Sequence, residues 1–232
     1  MAKLRDRVES LLTQIPIDFG GGCSVRKAYL MAWLIHRFKL STSLDIGVYR
    51  GRSLLPQALS HHESGAGLAY VVDPWSAENA DEHDHVALRN EIEAFVAATD
   101  FEQLYQDVMQ RIADFGLAPH TVVLRTTSHL AAHQFIADGT RFGLIHIDGN
   151  HDAEPVLSDV RAYFPLVQPG GFLVMDDVSW PSVKPAVEEV LKQAKLLLWR
   201  VSPDGSDDYA VFRKPGGRYA IGLKTQLRLV AA

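Results

Sequence analysis

A chain of 232 residues is long enough for one α/β domain with an appended helical piece. Its hydrophobic fraction of 47% and charged fraction of 22% are ordinary for a globular protein, and a formal net charge of −5 argues against a general affinity for nucleic acid or anionic membrane. The single cysteine, Cys23, excludes an internal disulfide and points to a reducing cytoplasm, while no apolar run approaches the ~20 residues that span a bilayer.

The opening MAKLRDRVESLL interleaves charges with apolar residues, unlike a signal peptide. Leu4, Val8, Leu11, Leu12 and Ile15 recur at spacings of three and four, which predicts an amphipathic helix ended by Pro16 and Gly20-Gly21-Gly22. Ser24 is an N-cap for a second helix through about Phe38, with Tyr29, Leu30, Trp33, Leu34 and Phe38 on its apolar side. Residues 1–40 are thus expected to form a helical cap ahead of a sheet.

From residue 43 short apolar runs alternate with helical stretches, the pattern of parallel βαβ units. Strands are expected at 43–48, 69–74, 121–126, 142–148, 171–177, 195–201 and 209–213. Helices are expected after Gly51, with Pro56 in the first turn, from Glu154 to Phe164 and from Val183 to Ala194. The acidic turn SPDGSDD joins the last two strands as an antiparallel hairpin. Residues 76–116 are longer than a crossover needs. ALRNEIEAFVAAT and FEQLYQDVMQRIADFG read as helices of an ordered insertion, and the acidic stretch Glu78–His85 before them reads as a mobile lid. The basic residues Arg213, Lys214, Arg218, Lys224 and Arg228 of the stretch 213–228 read as solvated, and 216–232 as a C-terminal tail.

Two clusters carry chemistry. The first is Asp45-Ile46-Gly47-Val48-Tyr49-Arg50-Gly51-Arg52-Ser53, which leaves a strand and enters a helix. Glycine is needed where backbone turns sharply against a ligand. The spacing differs from the dinucleotide fingerprint, and a carboxylate at Asp45 repels a pyrophosphate but attracts an ammonium group. Asp73, about twenty residues beyond the glycine turn, is placed to accept hydrogen bonds from a ribose diol. In the second cluster, one apolar strand ends in Asp148-Gly149-Asn150-His151-Asp152 and the next in Asp176-Asp177. Neighbouring carboxylates repel unless a cation or donor neutralises them, and Asp148, Asp176 and Asp177 offer oxygen ligands suited to Mg²⁺ or Mn²⁺. His83, Asp84 and His85 have no closed metal-site spacing and read as a solvated loop.

Together these residues resemble the acid-x-Gly-x-x-x-Gly motif and following ribose acid of Rossmann-like S-adenosylmethionine-dependent methyltransferases, over about residues 43–213. The phrase IDGNHDAEPVLSDVRAYFPLVQPGGFLVMDD is similar to metal-dependent small-molecule O-methyltransferases of the macrolide-sugar, aminocoumarin-sugar and catechol types. The resemblance implies a three-layer α/β fold over 41–215, with a mostly parallel seven-stranded sheet and a terminal antiparallel hairpin. It implies that Asp45, Gly47, Tyr49, Gly51, Ser53, Asp73, Ser128 and Asp148 contact S-adenosylmethionine, and that Asp148, Asp176 and Asp177 hold the metal. His151 stands where catechol-type enzymes carry their lysine base; some sugar enzymes use an acid where this chain has Asn150. His151 is therefore the expected base, with a structural histidine as the alternative. The expected activity is methyl transfer to a hydroxyl of a sugar-like or phenolic small molecule. A non-catalytic cofactor-binding protein and a nicotinamide-dependent oxidoreductase stand as rivals, and self-association stays open.

Overall fold

Strand order is the feature of the computed structural model that places the site. The structure describes residues 2–19, 22–203, 205–217, 226, 227 and 230. Gly20 and Gly21 of the expected helix stop, and Arg218, Lys224 and Arg228 of the basic tail, lie outside the described residues.

The strands are β1 (Thr42–Ile46), β2 (Leu68–Val72), β3 (Thr121–Leu124), β4 (Phe142–Ile147), β5 (Val167–Asp176), β6 (Lys195–Val201) and β7 (Asp208–Arg213). They form one seven-stranded sheet in the order β3-β2-β1-β4-β5-β7-β6, parallel except where β7 pairs with β5 and β6. The order reverses direction between β1 and β4, and the crevice outside the carboxyl ends of strands at such a switch point is where open α/β sheets bind ligands. Both chemical clusters lie there, because Gly47 to Gly51 follow β1, Asp148 follows β4 and Asp176 ends β5.

The helices are α1 (Ala2–Leu12), α2 (Val25–Phe38), α3 (Leu54–Ser64), α4 (Ala77–Ala80), α5 (Arg89–Ala98), α6 (Phe101–Asp114), α7 (Ser128–Ala137), α8 (Ala153–Tyr163) and α9 (Lys184–Leu191). Strand alternation sorts them into layers. Leu144, Phe172 and Val174 pack with α1, α2, α3 and α6, whereas Ile145, Leu173 and Met175 pack with α7, α8 and α9. The three-layer fold expected from the sequence is therefore present. The N-terminal helices belong to the same buried cluster as α3 and α6. Among the described residues no helix is long and apolar enough to cross a membrane.

The insertion forms α4, α5 and α6, and α6 buries Leu104, Val108 and Ile112 in the core. The stretch Glu78–His85, expected to be mobile, is hydrogen-bonded to the start of α8 and to α5. Asp152 Oδ1 accepts from the backbone N–H groups of His83 at 2.8 Å and Asp84 at 2.7 Å, Asp84 Oδ2 accepts from Ala153 N–H at 2.8 Å, and Arg89 Nη1 donates to Asp81 at 2.6 Å. The charges that suggest solvation from sequence are the groups that tie the segment down.

Candidate active site

The turn after β1 is built around backbone that few residue types tolerate. Gly47 has φ +78°, and a Cβ there would lie 1.8 Å from the Asp148 carbonyl oxygen, so only glycine lets the two strand-end loops touch. Gly51 has φ +88° and lies just before α3, its carbonyl accepting from Leu55 N–H at 2.9 Å. Tyr49 and Trp75 carry positive φ, 48° and 43°, strain that must be held by surrounding contacts.

Asp73 holds both. Its Oδ2 accepts from the N–H groups of Val48 at 2.8 Å and Tyr49 at 3.0 Å, and Oδ1 accepts from Trp75 N–H at 2.6 Å. The indole N–H of Trp75 donates to the Tyr49 carbonyl at 2.9 Å. Burial pushes the Asp73 carboxyl above its ordinary value, although the three N–H groups favour its charge. A carboxylate offers about four lone-pair sites, so one remains for a further donor such as a ribose hydroxyl.

A cavity of about 690 Å³ opens against this turn. Its walls include Gly47, Tyr49, Ser53 and Asp73 on one side and Asp148, His151, Asp176 and Asp177 on the other, with Thr127 and Ser128 at the start of α7. That volume lies within the range of small-molecule and cofactor sites. The glycine cradle, the spare Asp73 lone pair and the cavity fit a nucleoside-bearing cofactor. Two expected contacts are off this wall. Asp45 is fully buried beneath it, its Oδ1 2.6 Å from His146 Nδ1, and Gly51 sets the turn. Ser128 is on the wall, its carbonyl accepting from the Tyr163 hydroxyl at 2.6 Å.

The acids of β4 and β5 do converge, and the chain itself supplies nitrogen groups between them. His151 Nδ1 lies 2.9 Å from Glu82 Oε1, and its Nε2 lies 3.5 Å from Asp148 Oδ1 and 3.4 Å from Asp177 Oδ2. Burial opposes charge on this imidazole, but Asp177, Asp148 and Glu82 outweigh it and raise its pKa well above the ordinary value. Trp180 covers the ring at 5.3 Å between centroids. On the other side, the ammonium of Lys27 lies 3.5 Å from Asp148 Oδ2 and bonds Asp176 Oδ2. Asp148 is held well below the usual carboxylate range against its burial, by Lys27, His151 and His146. Asp176 is pushed up by burial and by Asp148. Asp177 is pushed up to about 6, chiefly by burial.

For a metal, the ligand atoms of His146, Asp148 and Asp176 lie within 4.8 Å of one another, as do those of Asp148, His151 and Asp177. The spacing suits a ligand set. The gap between Asp148 and Asp176, however, already holds an ammonium group competing for the same oxygens, so a divalent ion bridging that pair does not fit with Lys27 in place.

Sequence reasoning missed Lys27, Glu82 and Trp180. For Lys27 a signal was present: it precedes Leu30, Met31 and Leu34 by three, four and seven residues, a charge within the apolar stripe of α2. Glu82 and Trp180 meet His151 from segments with no recognisable spacing.

The comparisons agree with this architecture. An O-methyltransferase from Bacillus cereus, solved with SAH, superimposes with a TM-score of 0.61 at 14% identity, covering 91% of this chain and 90% of that one. TomG from Streptomyces achromogenes, an O-methyltransferase of tomaymycin synthesis solved with SAM, gives 0.60 at 13% identity over 92% and 90%. At such identities the likeness speaks to the fold. A stretch of 52 residues is 38% identical to an uncharacterized protein of Acanthamoeba polyphaga mimivirus, 21% of this chain and about a quarter (24%) of that protein's length. A family model described as a methyltransferase domain matches residues 44–178, more than half of the chain and the span that carries the glycine turn, Asp73 and the acids of β4 and β5. The chain belongs to this methyltransferase-domain family.

Proposed function

We propose that the protein transfers the methyl group of S-adenosylmethionine to a hydroxyl oxygen of a small-molecule acceptor. The observation that carries this reading is that one cavity faces the Asp73-braced glycine turn on one side and His151 with its acids on the other. In it, Gly47 and Tyr49 would meet the methionine end, Asp73 the ribose, and Thr127 and Ser128 the adenine. The cofactor supplies, when bound, a methyl group made electrophilic by its sulfonium.

The protein's share is alignment and deprotonation. His151 Nε2 would take the acceptor's O–H proton, freeing the oxygen for the methyl group that the bound cofactor would supply, its sulfur left as a neutral thioether. Nε2 suits this role because it faces the cavity beside Asp148 and Asp177 while Glu82 holds Nδ1. Glu82 belongs to the insertion, so the same segment that covers the cavity also orients the base and excludes water. His151 accepts a proton only when neutral, a form that its three acidic neighbours hold to the alkaline side of an ordinary histidine. The test is transfer of a labelled methyl group to a panel of phenolic and sugar acceptors. Transfer to a hydroxyl that is lost in His151→Ala at retained cofactor affinity is the expected result, and no transfer to any panel member despite tight cofactor binding counts against it.

A further inference from the structure

The expectation of a divalent ion rests on acids converging with nothing of the chain between them, and in the fold an ammonium group lies between Asp148 and Asp176. Lys27 comes from α2, far from β4 and β5 in sequence, and its position is set from two sides. Its backbone N–H donates to the side chain of the N-cap residue Ser24 at 3.0 Å. The Ser24 hydroxyl donates in turn to Asp207 Oδ1 at 2.5 Å, and Arg26 and Arg200 donate to Asp207 Oδ2 at 2.8 and 2.7 Å. Asp207 lies in the β6–β7 connection and is buried, so the start of α2 is pinned to the hairpin beside β5.

Lys27 occupies a place that nothing but the acids recommends. Its side chain is only 4% exposed, and burying an unpaired ammonium costs several kcal/mol. It also lies in the first turn of α2, where the helix dipole disfavours a cation. Both costs are offset by Asp148 on one side and Asp176 on the other. The imidazole of His151 faces the other gap, its Nε2 3.5 Å from Asp148 Oδ1 and 3.4 Å from Asp177 Oδ2.

We infer that Lys27 is the resident cation of this site: its ammonium joins Asp148 and Asp176 in place of a divalent metal ion, and the methyl transfer runs without one. The second clause rests on the function proposed above; the first does not. An ammonium has three N–H donors, and two are directed to Asp148 and Asp176. Because Lys27 lines the cavity, the third is available to an acceptor oxygen, which makes Lys27 a group that positions the acceptor as well as a charge that balances the acids.

The experiment is a titration of the full-length protein with Mn²⁺ followed by electron paramagnetic resonance, after exhaustive chelation, for wild type, Lys27→Met and Lys27→Ala. Wild type should leave the signal of free Mn²⁺ unchanged at equimolar protein. The folded variants should each bind one Mn²⁺ at least about tenfold more tightly than wild type, since removing the ammonium frees two carboxylates. A role limited to stability would lower the melting temperature without creating an ion site. Stoichiometric Mn²⁺ binding by wild type overturns the inference, as does a folded variant that gains no Mn²⁺ affinity, and the wild-type arm decides alone if neither variant folds. Methyl transfer by wild type should persist in EDTA, and activity lost to EDTA and restored by Mg²⁺ would overturn it too. Calorimetry with S-adenosylhomocysteine on the same wild-type sample keeps the two readings apart. Absence of heat there refutes the methyltransferase reading, while the Mn²⁺ result stands independently.

Discussion

Replacing Asp73 by alanine removes a carboxylate that braces the cofactor turn through three backbone N–H groups. Three backbone N–H groups, those of Val48, Tyr49 and Trp75, lose acceptors at 2.8, 3.0 and 2.6 Å. At about 1–1.5 kcal/mol each, the loss in stability is roughly 3–4.5 kcal/mol. That lowers the melting temperature by on the order of 10 °C for a chain of this size and leaves the protein folded at room temperature. Tyr49 and Trp75, at φ 48° and 43°, are then free to relax, and the turn loses its prepared shape. Together with the lost ribose contact, cofactor affinity should fall about tenfold to hundredfold, or roughly 1.4–2.8 kcal/mol. Asp73→Asn keeps the outline and one oxygen, so it should fall between wild type and Asp73→Ala in both measurements. Urea unfolding followed by tryptophan fluorescence reads the first quantity, and calorimetry with S-adenosylhomocysteine reads the second. Asp73→Ala that unfolds with wild type and binds the cofactor within twofold would refute the bracing argument.

Gly47→Ala should abolish measurable cofactor binding, because its Cβ would lie 1.8 Å from the Asp148 carbonyl and the two loops must separate; wild-type affinity by calorimetry would contradict this. His151→Ala should lower kcat by about 10² to 10⁴ with cofactor affinity little changed. In wild type, kcat should rise with pH through a pKa well above 6.5, the direction in which Asp177, Asp148 and Glu82 move this imidazole against its burial. A pH profile already flat from 6.5 upward would count against His151 as the base. His61 is a separate case: buried, with Nε2 3.1 Å from Ser43 Oγ, it is pushed down to about 4 by burial. Its folded pKa lies below the unfolded value, so the fold favours the neutral form. Its contribution is full above about pH 6.5 and is lost as pH falls towards 4, at most roughly 3 kcal/mol. His61→Gln, which has no such titration, should therefore differ less and less from wild type in urea midpoint as pH falls over that interval; a constant difference would contradict the assignment.

Most of the sheet was legible because each strand is a short apolar run punctuated by turn residues, and the strand ends carry the acids that mark the switch point. The β1 turn was legible for the same reason, since Gly47 and Gly51 are demanded by backbone geometry that no other residue reproduces there. What was not legible depends on tertiary approach. Asp45 reads as a cofactor carboxylate, yet its partner is His146 on the adjacent strand, and a register pairing β1 with β4 cannot be read from either segment alone. The acidic stretch Glu78–His85 reads as solvated, yet Asp152 and Ala153 at the start of α8 receive it, and Glu82 reaches His151 from 69 residues away. Asp148, Asp176 and Asp177 read as a metal site because sequence alone shows acids in need of a cation. It does not show that Lys27, 121 residues earlier than Asp148, reaches Asp148 and Asp176.

The central claim is that the cavity beside the Asp73-braced turn is built for S-adenosylmethionine. Isothermal titration calorimetry of the wild-type chain tests it most directly, with S-adenosylmethionine, S-adenosylhomocysteine and NAD titrated in turn. The account predicts one site for each of the first two and no heat from NAD. Heat from NAD with none from S-adenosylmethionine would contradict it.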